Sequence, residues 1–161
     1  SGAYIAPGAL KDKGRFWGAD APDAAVKVFF IEHFWGNYLK RLSGLLYNNA
    51  AHVLIKATPP YSLTGVGYTD TGLTLTGTSG QYITAGILTD AGFIPTTTGG
   101  SDSMYFSDGL YYSTPGAGVF NVALVGGRRA FAGGRGSWAC LLDTAGVANT
   151  GIGASLSFLK P

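Results

Sequence analysis

The chain has 161 residues, 46% of them apolar and only 12% charged, with 26 glycines and a formal net charge of +2. Length and apolar content suffice for one packed domain without disulfides or metal, and they exclude a disordered chain. The small net charge argues against a polyanion binder, and a single cysteine, Cys140, excludes an intramolecular disulfide and any cysteine-built zinc centre.

Taken in chain order, residues 1–24 are rich in Gly, Ala, Pro and Asp and read as an irregular leading segment, with the domain proper over 25–161. The opening Ser1-Gly2 reads as an excised piece or a tag scar. Ala25 to Phe30 reads as a first strand. The stretch from Ile31 to Leu42 has helical spacing, but Gly36 and Asn37 interrupt it, and two strands at about 38–46 and 51–57 fit better. Pro59-Pro60 closes that hairpin, because neither residue can donate to a ladder. Short alternating runs follow at Leu73–Thr76 and Tyr82–Thr84, and Thr96–Gly100 reads as a loop. Asp108-Gly109 signals a turn ahead of Leu110–Tyr112. Phe120–Val125 and Ile152–Leu159 read as strands. Helix is scarce, and no run of about 18 apolar residues is present to span a membrane.

Catalytic chemistry has little to stand on. His33, beside Phe34-Trp35, reads as a packed or hydrogen-bonded histidine, and His52 opens a strand. Glu32 is the only glutamate, which removes a Glu–Glu acid–base pair, and Cys140 reads as a small buried hydrophobe. Asp102, Asp108 and Asp143 show no calcium-loop spacing. The expectation is a protein that is not an enzyme and carries no cofactor or metal.

Binding features are richer. No Lys or Arg occurs between Lys56 and Arg128, and three of the five arginines then crowd into Arg128, Arg129 and Arg135. They lie among Gly126, Gly127, Ala130, Phe131, Ala132, Gly133, Gly134 and Gly136, where core packing cannot explain them. Guanidinium forks suit carboxylates, phosphates or sugar hydroxyls, and Phe131 offers a stacking face. Tyr111, Tyr112 and Ser113 add amphipathic contact area.

Three stretches carry a resemblance: Val122–Gly127, then Gly136-Ser137-Trp138, then Asn149–Gly153. Together with Ile31–Tyr38 upstream they resemble the signature of the formylglycine-generating-enzyme-like branch of the C-type lectin fold. Ser155 stands where that family has an Arg, Arg128-Arg129 replace its Ser-Trp, and the paired catalytic cysteines are missing. The resemblance therefore implies the scaffold without the enzyme, as in phage tail-fibre receptor-binding proteins and the variable proteins of diversity-generating retroelements. It implies an α+β, C-type-lectin-like domain of short antiparallel strands and long Gly-rich loops with little helix. Packing would rest on Val122, Leu124, Trp138, Ile152, Leu156 and Phe158. The ligand surface would comprise Tyr112, Ser113, Ala117, Gly118, Arg128, Arg129, Ala130, Phe131, Gly134, Arg135, Ala139, Leu141, Asp143, Val147 and Gly151. Apart from Tyr112, which is added for its contact area, that set matches the diversified segment of the subgroup, and each of its residues is reachable from an AAC-type codon by changing adenines. The implied partner is a host cell-surface protein or glycan, bound by a homotrimeric fibre on a virion, with no nucleic acid and no membrane insertion. A bacterial surface adhesin, an enzyme relative of the family and a structural tail component are the alternatives.

Overall fold

A computed structural model describes residues 5, 6, 8–18, 26–89, 92–101, 103, 106, 108–127, 135–144 and 152–153. Two sheets contain all the regular structure of these residues. A small antiparallel sheet consists of β1 (Phe16–Gly18), β2 (Val26–Val28) and β3 (Ile31–Glu32). The large sheet holds β4 (Leu39–Tyr47), β5 (His52–Ile55), β6 (Thr69–Thr74), β7 (Gln81–Thr89), β8 (Gly92–Gly100), β9 (Gly109–Tyr112), β10 (Asn121–Gly127), β11 (Arg135–Thr144) and β12 (Ile152–Gly153). Its strand order is β6-β5-β4-β10-β11-β9-β7-β8, with β12 beside the start of β4.

This sheet curls until its edges meet. Thr76, two residues beyond β6, forms a parallel bridge to Thr97 of β8. The Thr76 N–H donates to the Thr96 carbonyl at 2.8 Å, and the Thr98 N–H donates to the Thr76 carbonyl at 3.1 Å. The result is an eight-stranded barrel zipped by one short seam.

Strand periodicity sorts the core into two layers. Tyr47, Val53, Leu75, Ile83, Ile94, Leu110, Ala123, Cys140 and Leu142 fill the interior. Their alternate neighbours Leu46, Leu54, Val122 and Leu124, with Leu39, form an outer apolar layer under Tyr68, Phe120 and Leu141. Gly65 lets the 57–68 segment lie on that layer: a Cβ there would come within 2.7 Å of the Phe120 ring. The interior keeps a cavity of about 40 Å³ lined by apolar side chains including Ile94, Leu110, Cys140 and Leu142. Sites for drug-sized ligands run from about 300 Å³, so this cavity is far smaller than such a site.

Tyr47 is fully buried in that interior, and its hydroxyl has no protein hydrogen-bond partner. Burial, with Tyr112 nearby, pushes its pKa up to about 12. Tyr47→Phe removes an unsatisfied polar atom and leaves the ring. We expect it to stabilise the fold by about 1 kcal/mol, read as a rise of a few degrees in Tm by calorimetry.

The α+β, C-type-lectin-like expectation is overturned. The described residues contain no helix and are all-β. Residues 8–13 make only isolated turns, with Lys11 N–H to the Gly8 carbonyl and Lys13 N–H to that of Leu10. The helical spacing of Ile31–Leu42 is broken by positive φ at His33 (56°) and Gly36 (83°). Thr96–Gly100, expected as a loop, belongs to β8, since threonines suit a pleated surface more than a free turn. Phe16–Gly18, inside the supposedly irregular leader, pairs with β2. The paired strands expected at 38–46 and 51–57 are present as β4 and β5, joined at Asn48–Ala51. Of the strand expected at Ile152–Leu159, only Ile152–Gly153 lies among the described residues. No helix among them is long and apolar enough to cross a membrane.

Candidate functional site: an aromatic turn at the cationic end

The sequence Val26-Lys-Val-Phe-Phe-Ile-Glu32 folds as a hairpin in which Val28 pairs with Ile31 and Lys27 with Glu32. Its two-residue turn is therefore Phe29-Phe30, with φ of 48° and 69°. Such turns ordinarily hold Asn-Gly, because left-handed backbone costs about 1–2 kcal/mol for a residue with a larger side chain. Both rings are nonetheless about two-thirds exposed, at 64% and 65%. Phe16, exposed on β1, meets Phe29 edge-on with centroids 4.7 Å apart. Ile31 and Phe34 are exposed beside them.

Cations ring this apolar tip. The Arg15 guanidinium lies 5.4 Å from the Phe30 centroid, and Lys13 lies 5.3 Å from that of Trp17. Lys27 approaches Phe30 from below, at 5.9 Å. It is buried, and its Nζ donates to the carbonyls of Leu10 (2.7 Å), Lys11 (3.3 Å) and Lys13 (2.9 Å), gathering the 8–13 turns under the hairpin. Lys40 lies against Phe34 and donates to the carbonyls of His33 and Phe34; burial lowers its pKa.

The leader is fastened by further bonds. Asn37 exchanges two hydrogen bonds with the backbone of Ile5, and Glu32 accepts from the Gly8 N–H at 2.6 Å. His33 is buried, with Nε2 3.2 Å from the Ala6 carbonyl. The Gly36 N–H donates to the Gly126 carbonyl at 2.7 Å, which docks the small sheet against the end of β10.

That end matters for the residues expected at the binding face. Gly127 pairs with Arg135, so the β10–β11 connection carrying Arg128, Arg129, Ala130 and Phe131 starts and ends beside the small sheet. Those four residues, Gly134, Val147 and Gly151 lie outside the described residues; Arg135 and Ala139 are placed by backbone alone. Tyr112 and Leu142 are paired toward the opposite end of the barrel, where Asn121 meets Thr144. There Ser113, Ala117 and Gly118 are exposed, Leu141 joins the outer layer, and Asp143 is half-buried. The expected set is thus divided between two barrel ends about 20 Å apart by strand length. Tyr112 is held structurally, its hydroxyl donating to the Gly77 carbonyl at 2.7 Å and its ring against Tyr47.

Other polar groups offer less. Cys140 is buried in the barrel, and burial pushes its thiol up to about 12. Among the described residues no group of three His, Cys, Asp or Glu could hold a metal ion. A concavity of about 250 Å³ opens where Leu42–Leu45 bulge from β4 opposite a single residue, Ala123. Its polar groups are already engaged, Lys56 Nζ on the Pro60 carbonyl and the Tyr61 hydroxyl on that of Ala57. His52 Nδ1 lies 2.9 Å from Asp70 on the surface between β5 and β6. The Gly72 N–H, then His52, hold the Asp70 carboxyl below its ordinary 3.8. A depressed carboxyl favours the fold above its unfolded pKa, and that contribution disappears as pH falls through the lower folded value. Asp70→Asn should therefore flatten the loss of Tm below about pH 4.

Comparison with protein-family models, with curated proteins and with solved structures finds no match to this chain. The fold and surface define a packed β-barrel that displays an aromatic, cation-ringed hairpin at one end. Sequence reasoning missed that hairpin by running Ala25–Phe30 as a single strand. The available signal was the arrangement Val-Lys-Val, Phe-Phe, Ile-Glu, two half-alternations that reverse around a doublet.

Proposed function

We propose that this chain is a non-catalytic recognition module, of the receptor-binding kind found on phage or prophage tail fibres. It engages a cell-surface molecule through the barrel end formed by the small sheet and the β10–β11 connection. One observation carries the reading: two phenylalanines occupy left-handed turn positions with their rings in solvent. Strain of that kind persists where the display itself is selected. A clustered apolar patch rimmed by cations is the usual sign of a contact surface. In sequence Arg128 and Arg129 directly follow Gly127, which pairs with Arg135 at that end of β10, and this supports testing the three arginines with the same face.

The test is binding of the labelled domain, multimerised on a scaffold, to a panel of intact bacterial cells. Two variants run beside it, Phe29→Asn with Phe30→Gly, and Arg128→Ala with Arg129→Ala and Arg135→Ala, each checked for a native unfolding transition. Selective binding that either variant reduces at least about tenfold supports the module and its end. Binding to no strain, or equal binding by all three proteins, overturns the proposal.

A further inference from the structure

We infer that the aromatic tip docks on an anionic lipid surface, the phenylalanines entering the headgroup layer while the surrounding cations meet lipid phosphates. This rests on reading the tip as a contact surface and assigns the chemistry of what it contacts. The outermost side chains, Phe29, Phe30 and Ile31, carry no hydrogen-bonding group, whereas a sugar or peptide site needs convergent donors and acceptors. Phe30 and Phe34 already have a cation against their rings, Arg15 and Lys40, so cationic groups stand directly beside the exposed apolar surface. Exposed aromatic rings and an aliphatic side chain bordered by cations suit the headgroup layer of an anionic membrane, where apolar groups and lipid phosphates lie side by side.

Charge complementarity selects an anionic layer. Lys11, Lys13, Arg15, Lys27, Lys40 and Arg41 outnumber the carboxylates of the same stretch, Asp12, Asp20, Asp23 and Glu32. The 57–127 stretch that builds most of the barrel has no Lys or Arg. The molecule is therefore electrically polarised, and an anionic surface orients it tip-first. This mode is peripheral and uses a few side chains, as interfacial anchors do, with no spanning element.

The experiment measures sedimentation of the protein with vesicles of phosphatidylcholine alone and with vesicles of mixed phosphatidylcholine and phosphatidylglycerol. Phe29→Asn with Phe30→Gly removes the wedge yet installs the residues that turn geometry prefers, so its unfolding midpoint should equal or exceed the parent's. We expect uptake by the mixed vesicles, uptake by phosphatidylcholine at least about tenfold weaker, and a loss of about tenfold or more in the variant. Lys13→Gln with Arg15→Gln should weaken uptake and reduce its salt sensitivity.

No uptake by the mixed vesicles, uptake indifferent to phosphatidylglycerol, or equal uptake by the Phe variant would each overturn the inference. So would a parent dimer in sedimentation velocity that the Phe variant lacks, since a second copy would then cover the tip. Loss of cell binding in the Phe variant without vesicle uptake by the parent would sink the lipid assignment alone. Vesicle uptake that depends on the tip, with cell binding that does not, would keep the lipid site and remove the tip from cell recognition.

Discussion

Gly77→Ala should lower Tm by about 10 °C, because it opens the seam where the barrel closes. Gly77 has φ of 101°, so any side chain there is strained. An added Cβ would also stand 2.5 Å from the Thr98 carbonyl oxygen and 2.9 Å from its nitrogen. Both atoms are backbone and cannot swing aside. Thr98 lies in the seam, its N–H on the Thr76 carbonyl and its hydroxyl on the Thr78 carbonyl at 2.9 Å. Left-handed strain of about 1–2 kcal/mol and overpacking of about 1–3 kcal/mol act on the same short zipper. Faster amide exchange at Thr76 and Thr98 than in β10 would locate the damage at the seam. Gly116→Ala is the control, with nothing near its Cβ and no positive φ, and should change Tm little.

Lys27→Met should separate the leader from the hairpin while sparing the barrel. The buried ammonium is shared by three carbonyls of residues 10, 11 and 13. A methionine of similar length fills the space but donates nothing, leaving those acceptors without their charged partner. Breaking such a buried charged hydrogen-bond set costs about 3 kcal/mol. The loss falls on the small sheet, which the barrel holds through the chain itself, the Gly36–Gly126 bond and the bonds of Lys40 to the His33 and Phe34 carbonyls. Limited proteolysis should cut within residues 8–18 of the variant at protease levels that leave the parent whole, with the main unfolding transition little moved. A shift of the main transition as large as that for Gly77→Ala would show that leader and barrel unfold as one unit.

The parts of this fold legible in the sequence are those where burial alone dictates pattern. β4 and β5 carry continuous apolar runs, Leu45–Tyr47 and Val53–Ile55, around an Asn-Asn turn, and after Asn121 β10 is apolar too, because alternate residues face two buried layers, Ala123 inward and Val122 and Leu124 outward. Cys140 and His33 are buried, as their neighbours suggested. What was not legible depends on long-range closure. Thr96–Thr98 look like a loop until β7 supplies ladder partners on one side, Ala85 for Thr97 and Ile83 for Thr98, and Thr76 bridges to Thr97 on the other. The motif order behind the lectin resemblance is a property of short segments and does not determine strand order. The division of the expected ligand set follows from topology. Residues 113–118 precede β10 while Arg128 follows it, and a strand carries its two ends apart. The turn at Phe29-Phe30 was hidden because it uses neither Gly nor Asn, the residues by which turns announce themselves.

The seam has a consequence for solubility. A threonine- and glycine-rich β protein with few charges has little to repel another copy, and a bare sheet border would recruit strands from its neighbours. Here the two strands that would form the borders, β6 and β8, are turned toward each other and joined at Thr76 and Thr97. Closure therefore does what charged gatekeepers do in open sheets. It lets the 57–127 stretch dispense with lysine and arginine.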